Sequence, residues 1–150
     1  MLVLNQDDKI SLYGTLNIKN YKEGITTNIK INAENKKVGI IGEYLYNLLL
    51  KKYTIFDYKW EDVKKELKTT NVIVNNKLIN PNCKFKFYGY VEDRTGIPSE
   101  YGKRYECYTN ELFFDELIES IESMFEEYIV DFNTDESGLK FVITKIEIIE

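Results

Sequence analysis

The chain has 150 residues, one Trp, no His and a formal net charge of −5, a size suited to a single domain that buries its own core. The absence of His excludes every Ser-His or Cys-His nucleophile pair and every His-ligated zinc or iron site. Cys83 and Cys107 are too few for a zinc cluster or a disulfide scaffold, and free thiols are expected.

No apolar run approaches the roughly 20 residues needed to cross a bilayer. The start, MLVLNQDDK, lacks the basic and then apolar layout of a signal peptide. A cytoplasmic protein without membrane contact is therefore expected. Ala occurs once, while Lys, Asn, Ile and Tyr are heavily used, which points to an AT-rich bacterial or phage genome.

Ile10, Leu12, Gly14, Leu16 and Ile18 alternate with polar residues, as a half-buried strand requires. After the turn NYKEG, Ile25, Thr27, Ile29 and Ile31 resume the alternation, giving a hairpin. From Gly39 the period changes. Ile41, Tyr44, Leu45, Leu48 and Leu49 follow helical spacing to about Lys52, and Trp60, Val63 and Leu67 suggest a second helix over 57–68. VIVNNKLI reads as a tight hairpin turning at Asn75-Asn76. CKFKFYGYVE and KRYECY read as paired strands that could bring Cys83 and Cys107 together. Thr109 or Asn110 can cap a helix over 110–132, residues 133–138 supply a turn, and LKFVITKIEII closes the chain as a strand.

The fold class expected is α+β: one domain over 1–150, with a mainly antiparallel sheet of about five to seven strands and two or three helices. The long C-terminal helix is expected to pack on one face of that sheet.

Charge is distributed unevenly. Residues 1–104 hold eighteen bases against twelve acids, whereas 105–139 hold eleven acids and no base. On a helix of about 100° per residue, Phe114, Leu117, Ile118, Ile121, Phe125 and Tyr128 form one face. Asp115, Glu119, Glu122 and Glu126 line the opposite face, with Glu116 and Glu127 beside it. Like charges at i and i+4 cost roughly 0.2–0.5 kcal/mol each, and acids late in a helix oppose its dipole. Three readings compete: a solvated face, a surface for a basic partner, and a metal or acid-base site. The last is disfavoured because outward carboxylates lack the burial that shifts a pKa.

Other motifs are weaker. Asp131, Asn133 and Asp135 match the first ligands of an EF-hand loop, but Glu136 stands where Gly is required and Val142 where the bidentate Glu belongs. A polar turn accounts for them as well. KKVGIIGEYL puts two glycines before a helix, as phosphate loops do, without their G-K-[ST]. A plain strand-to-helix turn is the simpler reading. KYTIFDYKWEDVKKELK mixes bases and aromatics as single-strand binders do, but four acids interrupt it. Tyr88, Tyr90, Tyr101, Tyr105 and Tyr108 form a better contact surface, with cross-strand packing as the alternative.

The function expected is a non-catalytic protein-binding or inhibitory protein of the immunity-protein or phage-inhibitor type. It would present Asp115, Glu116, Glu119, Glu122, Glu126, Glu127, Tyr105 and Tyr108 to a basic protein. No cofactor and no direct nucleic-acid binding are expected. The alternative is an assembly subunit associating through strand edges and tyrosines. The third reading is a carboxylate-dependent metal-binding module.

Overall fold

A computed structural model describes residues 1–22, 24–56, 63–93, 103–132 and 139–149. Strand β1 (Leu2–Asn5) leads through a tight turn into β2 (Lys9–Asn20), which pairs antiparallel with β3 (Ile25–Lys37) as the alternation requires. Ile10, Leu12, Leu16, Ile18, Ile31 and Ala33 point into the core. The pairing slips once, between Ile10 and Leu12, so that two residues of β3 oppose Ser11. Such a bulge leaves a ladder donor unpaired. Here Ser11 Oγ accepts the Asn35 N–H at 2.9 Å.

Helix α1 (Val38–Phe56) follows without a break. The Val38 and Gly39 N–H groups donate to the Asp8 and Gln6 carbonyls at 2.8 and 3.0 Å. The two-glycine segment is thus a strand-to-helix turn, and its first free amides are already used by the chain.

Of the helix expected over 57–68, the part from residue 63 onward is instead a strand, β4 (Val63–Val74), which pairs along β2; residues 57–62, Trp60 among them, lie outside the described residues. Lys65, Leu67 and Thr69 face inward on β4, and after a slip opposite Tyr13/Gly14 so do Val72 and Val74. The Asn-Asn hairpin is present. Asn75 and Asn76 adopt φ of 52° and 62° and return the chain into β5 (Lys77–Ile79), the double left-handed conformation that a two-residue type I′ turn needs.

Strands β6 (Lys84–Asp93) and β7 (Lys103–Tyr108) pair as expected, but their register sets Cys107 opposite Gly89, far along β6 from Cys83. Both cysteines are free thiols. Thr109 does not cap a helix. Its backbone and side chain instead bond Phe87, with Thr109 N–H donating to the Phe87 carbonyl at 3.0 Å and Phe87 N–H donating to Thr109 Oγ1 at 3.1 Å. The chain adds the short β8 (Leu112–Phe113) to β6 before a 3₁₀ turn, Phe114–Glu116, enters α2 (Leu117–Phe132). The helix therefore begins well inside the expected span. It is also not the C-terminal element, because β9 (Leu139–Ile149) follows it.

The strands form two antiparallel sheets rather than one. The first runs β1-β9-β6-β7 with β8 beside β6, and the second runs β3-β2-β4-β5. Their inner faces share one apolar core with both helices. Helix α1 touches β9 in the first sheet and β3 in the second, and it also meets α2. A Cβ placed on Gly42 would stand 2.6 Å from the Phe141 ring, so the missing side chain lets α1 sit against β9. No helix among the described residues is long and apolar enough to cross a membrane.

Candidate functional site

The acidic stretch serves two purposes. Its apolar face is core as the helical period requires: Phe114, Leu117, Ile118, Ile121 and Phe125 are buried, and Phe114 stacks on Phe85 at 4.4 Å between centroids. Several of its acids, however, turn inward or back onto the chain.

Glu122 is the clearest correction. Expected on the outward line, its side chain is only 7% exposed and ion-pairs with Lys65, which is 13% exposed. A buried carboxylate loses hydration, and that loss raises the Glu122 pKa above its ordinary value although Lys65 pulls it down; Glu126 and Glu119 add to the rise. Glu122 Oε1 finds no hydrogen-bond partner among the described residues. The pair joins α2 to the inner face of β4.

Asp115 and Glu116 are also engaged. The Thr69 N–H donates to Asp115 Oδ1 at 2.6 Å, which closes the edge of β4 where its pairing slips. Glu116 Oε2 accepts the Phe113 N–H at 2.7 Å and so caps the 3₁₀ turn, as an acid three residues in can do. Tyr105 is a structural residue too. Its ring stacks on Tyr128 at 5.4 Å, and the Tyr128 hydroxyl donates to the Glu106 carbonyl, tying α2 to β7.

Glu119, Glu126 and Glu127 do project to solvent, and Tyr108 is 72% exposed. Between α2 and the segment from Tyr108 to Leu112 runs an open groove of about 450 Å³. Its walls include Glu111, Glu116, Glu119 and Glu127, with Tyr108 at one side and Met124 as part of an apolar floor. Among the described residues no Lys or Arg lines it. Lys84 stands 4.0 Å from Glu111 in a loose exposed pair, which offsets one of the four carboxylates.

The chain matches no family model, no curated protein and no solved structure.

Among the described residues no group of three His, Cys, Asp or Glu side chains is placed to hold a metal ion. Asn133 and Asp135 lie outside the described residues, as does the side chain of Asp131. Cys107 is a buried thiol whose pKa burial pushes up to about 12, with Glu106 assisting, so it is held protonated and unreactive. The structure brings Glu116, Glu119, Glu127 and Tyr108 together at the groove, along with Glu111, Ser120, Ser123 and Met124, which sequence reasoning did not single out. The i, i+4, i+8 recurrence of Glu119, Ser123 and Glu127 was the signal available for the helical wall.

Proposed function

We propose that the protein is a cytoplasmic, non-catalytic protein-binding or inhibitory protein, of the immunity-protein or phage-inhibitor type, that receives a basic segment of a partner in the groove between α2 and the β7–β8 connection. The observation that supports this reading is four carboxylates lining one concavity with no base among the described residues of its walls. Each exposed ion pair formed there is worth only about 0.2–1 kcal/mol. A cluster of one sign acts mainly by speeding encounter and by selecting against acidic competitors. Tyr108 and Met124 supply the apolar contact that charge alone does not.

The test reverses charge where no fold contact is disturbed. Glu119→Lys combined with Glu127→Lys leaves Asp115, Glu116 and Glu122 in their structural bonds. Affinity capture from the native host should recover a basic protein with the unaltered chain and lose it with the double variant, while the urea midpoint stays put. Equal capture by both proteins defeats the reading.

A second reading, an assembly subunit, draws on β3. This strand of 13 residues ends the four-stranded sheet, so among the described residues its outer edge has no strand partner. Edges of this kind add strands from other chains. Light scattering at micromolar concentration decides between the two, since a clean monomer removes the assembly subunit.

A further inference from the structure

A second concavity lies on the outer side of the four-stranded sheet, away from the acidic groove. It has a volume of about 230 Å³ and is lined by Lys9, Ser11, Asn35, Ile73, Asn75 and Asn76. The described residues contain three non-glycine positions with positive φ, Asn35 at 49°, Asn75 at 52° and Asn76 at 62°. All three are asparagines and all three line this pocket. They arrive from two unrelated places, the β3 bulge and the β4–β5 turn.

Hairpin geometry explains why the backbone is left-handed at residues 75 and 76, but it does not explain the second Asn. Gly is the less strained choice at that position of a type I′ turn. Keeping Asn there retains a side-chain amide with two N–H donors. Ser11 adds a hydroxyl from a residue only 6% exposed. Its oxygen already accepts from the Asn35 N–H, which leaves the hydroxyl its own proton as a donor.

The charge of the pocket has one sign. Among the described residues its walls contain one cation, Lys9, and no acid. Lys9 faces Lys37 across the β2–β3 ladder, a like-charge pairing that costs stability. Lys37 leans toward Asp7 at 3.9 Å, and among the described residues Lys9 has no ion-pair partner. An ammonium, three primary amides and a hydroxyl around a cavity of this size are the donor set that an oxyanion with several acceptor oxygens requires.

We propose that this pocket is a binding site for a small phosphate-bearing ligand, with Lys9 as the counter-charge and Ser11, Asn35, Asn75 and Asn76 as hydrogen-bond donors. The two roles of the turn can be separated. Asn76→Gly keeps or improves the type I′ turn while removing one donor, and Lys9→Ala removes the charge from an exposed strand position.

The experiment titrates the full chain with inorganic phosphate, with sodium chloride at matched ionic strength as the control, and follows backbone amide chemical shifts. Phosphate should give a saturable shift confined to residues 9–11, 35 and 73–76, which chloride does not reproduce. Lys9→Ala and Asn76→Gly should each weaken it at least tenfold, with the Asn76→Gly melting temperature equal to or above that of the parent. A response shared by chloride, shifts spread over the lysines generally, or phosphate affinity unchanged in both variants overturns the proposal.

Discussion

Lys65 of β4 and Glu122 of α2, 57 residues apart in the chain, form a largely buried ion pair between helix and sheet. Removing one partner of such a pair strands a charge in the interior and costs about 3–5 kcal/mol, whereas replacing both by apolar residues of similar size is often neutral or stabilising. Lys65→Met and Glu122→Leu should therefore each lower the urea midpoint strongly, and the double variant should recover most of the loss. Equal and additive losses in the cycle would show that the two side chains do not interact.

The same residue sets a pH dependence. Burial raises the Glu122 pKa above the ordinary value of 4.5. Between that value and its higher folded one, the folded protein holds a proton that the unfolded chain has released. Its contribution to stability is accordingly complete below about pH 4.5 and is lost as the pH climbs through the folded value. Measured against Glu122→Gln, whose side chain does not titrate, the wild type should lose relative stability from about pH 4.5 upward and then level off. Urea midpoints of both proteins between about pH 4 and pH 8 check this. A difference moving in favour of the wild type as pH rises contradicts it.

This ion pair also explains where sequence reading failed. The hairpin of β2 and β3, the Asn-Asn turn and the terminal strand were legible because their inward positions are apolar and their turns carry the expected residues. In β4 the inward series includes Lys65, Leu67 and Thr69, so a lysine interrupts the alternation. Val63 and Leu67 alone fit a helix equally well. The lysine is admissible on that face only because Glu122 meets it. Helical periodicity, in turn, set Glu122 among exposed acids, since a partner distant in sequence leaves no trace in local spacing. Two slips in register, at Tyr13/Gly14 and Tyr88/Gly89, shift the inward parity further. The groove was half legible for the same reason: its helical wall follows a period, and its other wall depends on how β7 and β8 sit beside β6.

The two thiols should differ in reactivity. Cys107 is buried with its pKa pushed up to about 12, while Cys83 is half-buried before β6. The thiolate is the nucleophile. Mass spectrometry after iodoacetamide treatment at mildly alkaline pH should show alkylation at Cys83 alone, and a second adduct at Cys107 should appear only in denaturant. Equal labelling of both in the folded protein would contradict the packing of β7.

Both sheets repeat one device, and it supplies a sharp test of the fold. Gly14 on β2 and Gly89 on β6 each sit at a slip in register. A Cβ on Gly14 would stand 2.3 Å from the Lys68 carbonyl oxygen, and one on Gly89 would stand 2.2 Å from that of Val142. In each case the obstacle is the backbone of the neighbouring strand, which cannot swing aside as a side chain can. The glycines therefore allow the bulged strand to crowd its partner, and the bulge restores inward parity so that Ile146 and Ile148 reach the core after Ile143. Gly89→Ala should force β6 and β9 apart at their centre and lower stability by about 1–3 kcal/mol or more, as overpacking does. Ala at Gly24 offers the control, because nothing lies within 4 Å of its Cβ and only its φ of 67° resists, a local cost of about 1–2 kcal/mol that leaves the core intact. Amide hydrogen exchange separates the two mechanisms: Gly89→Ala should speed exchange along β6 and β9, whereas Gly24→Ala should act only at the β2–β3 turn. Unchanged protection across β6 and β9 in Gly89→Ala would mean that the strands do not meet in this register.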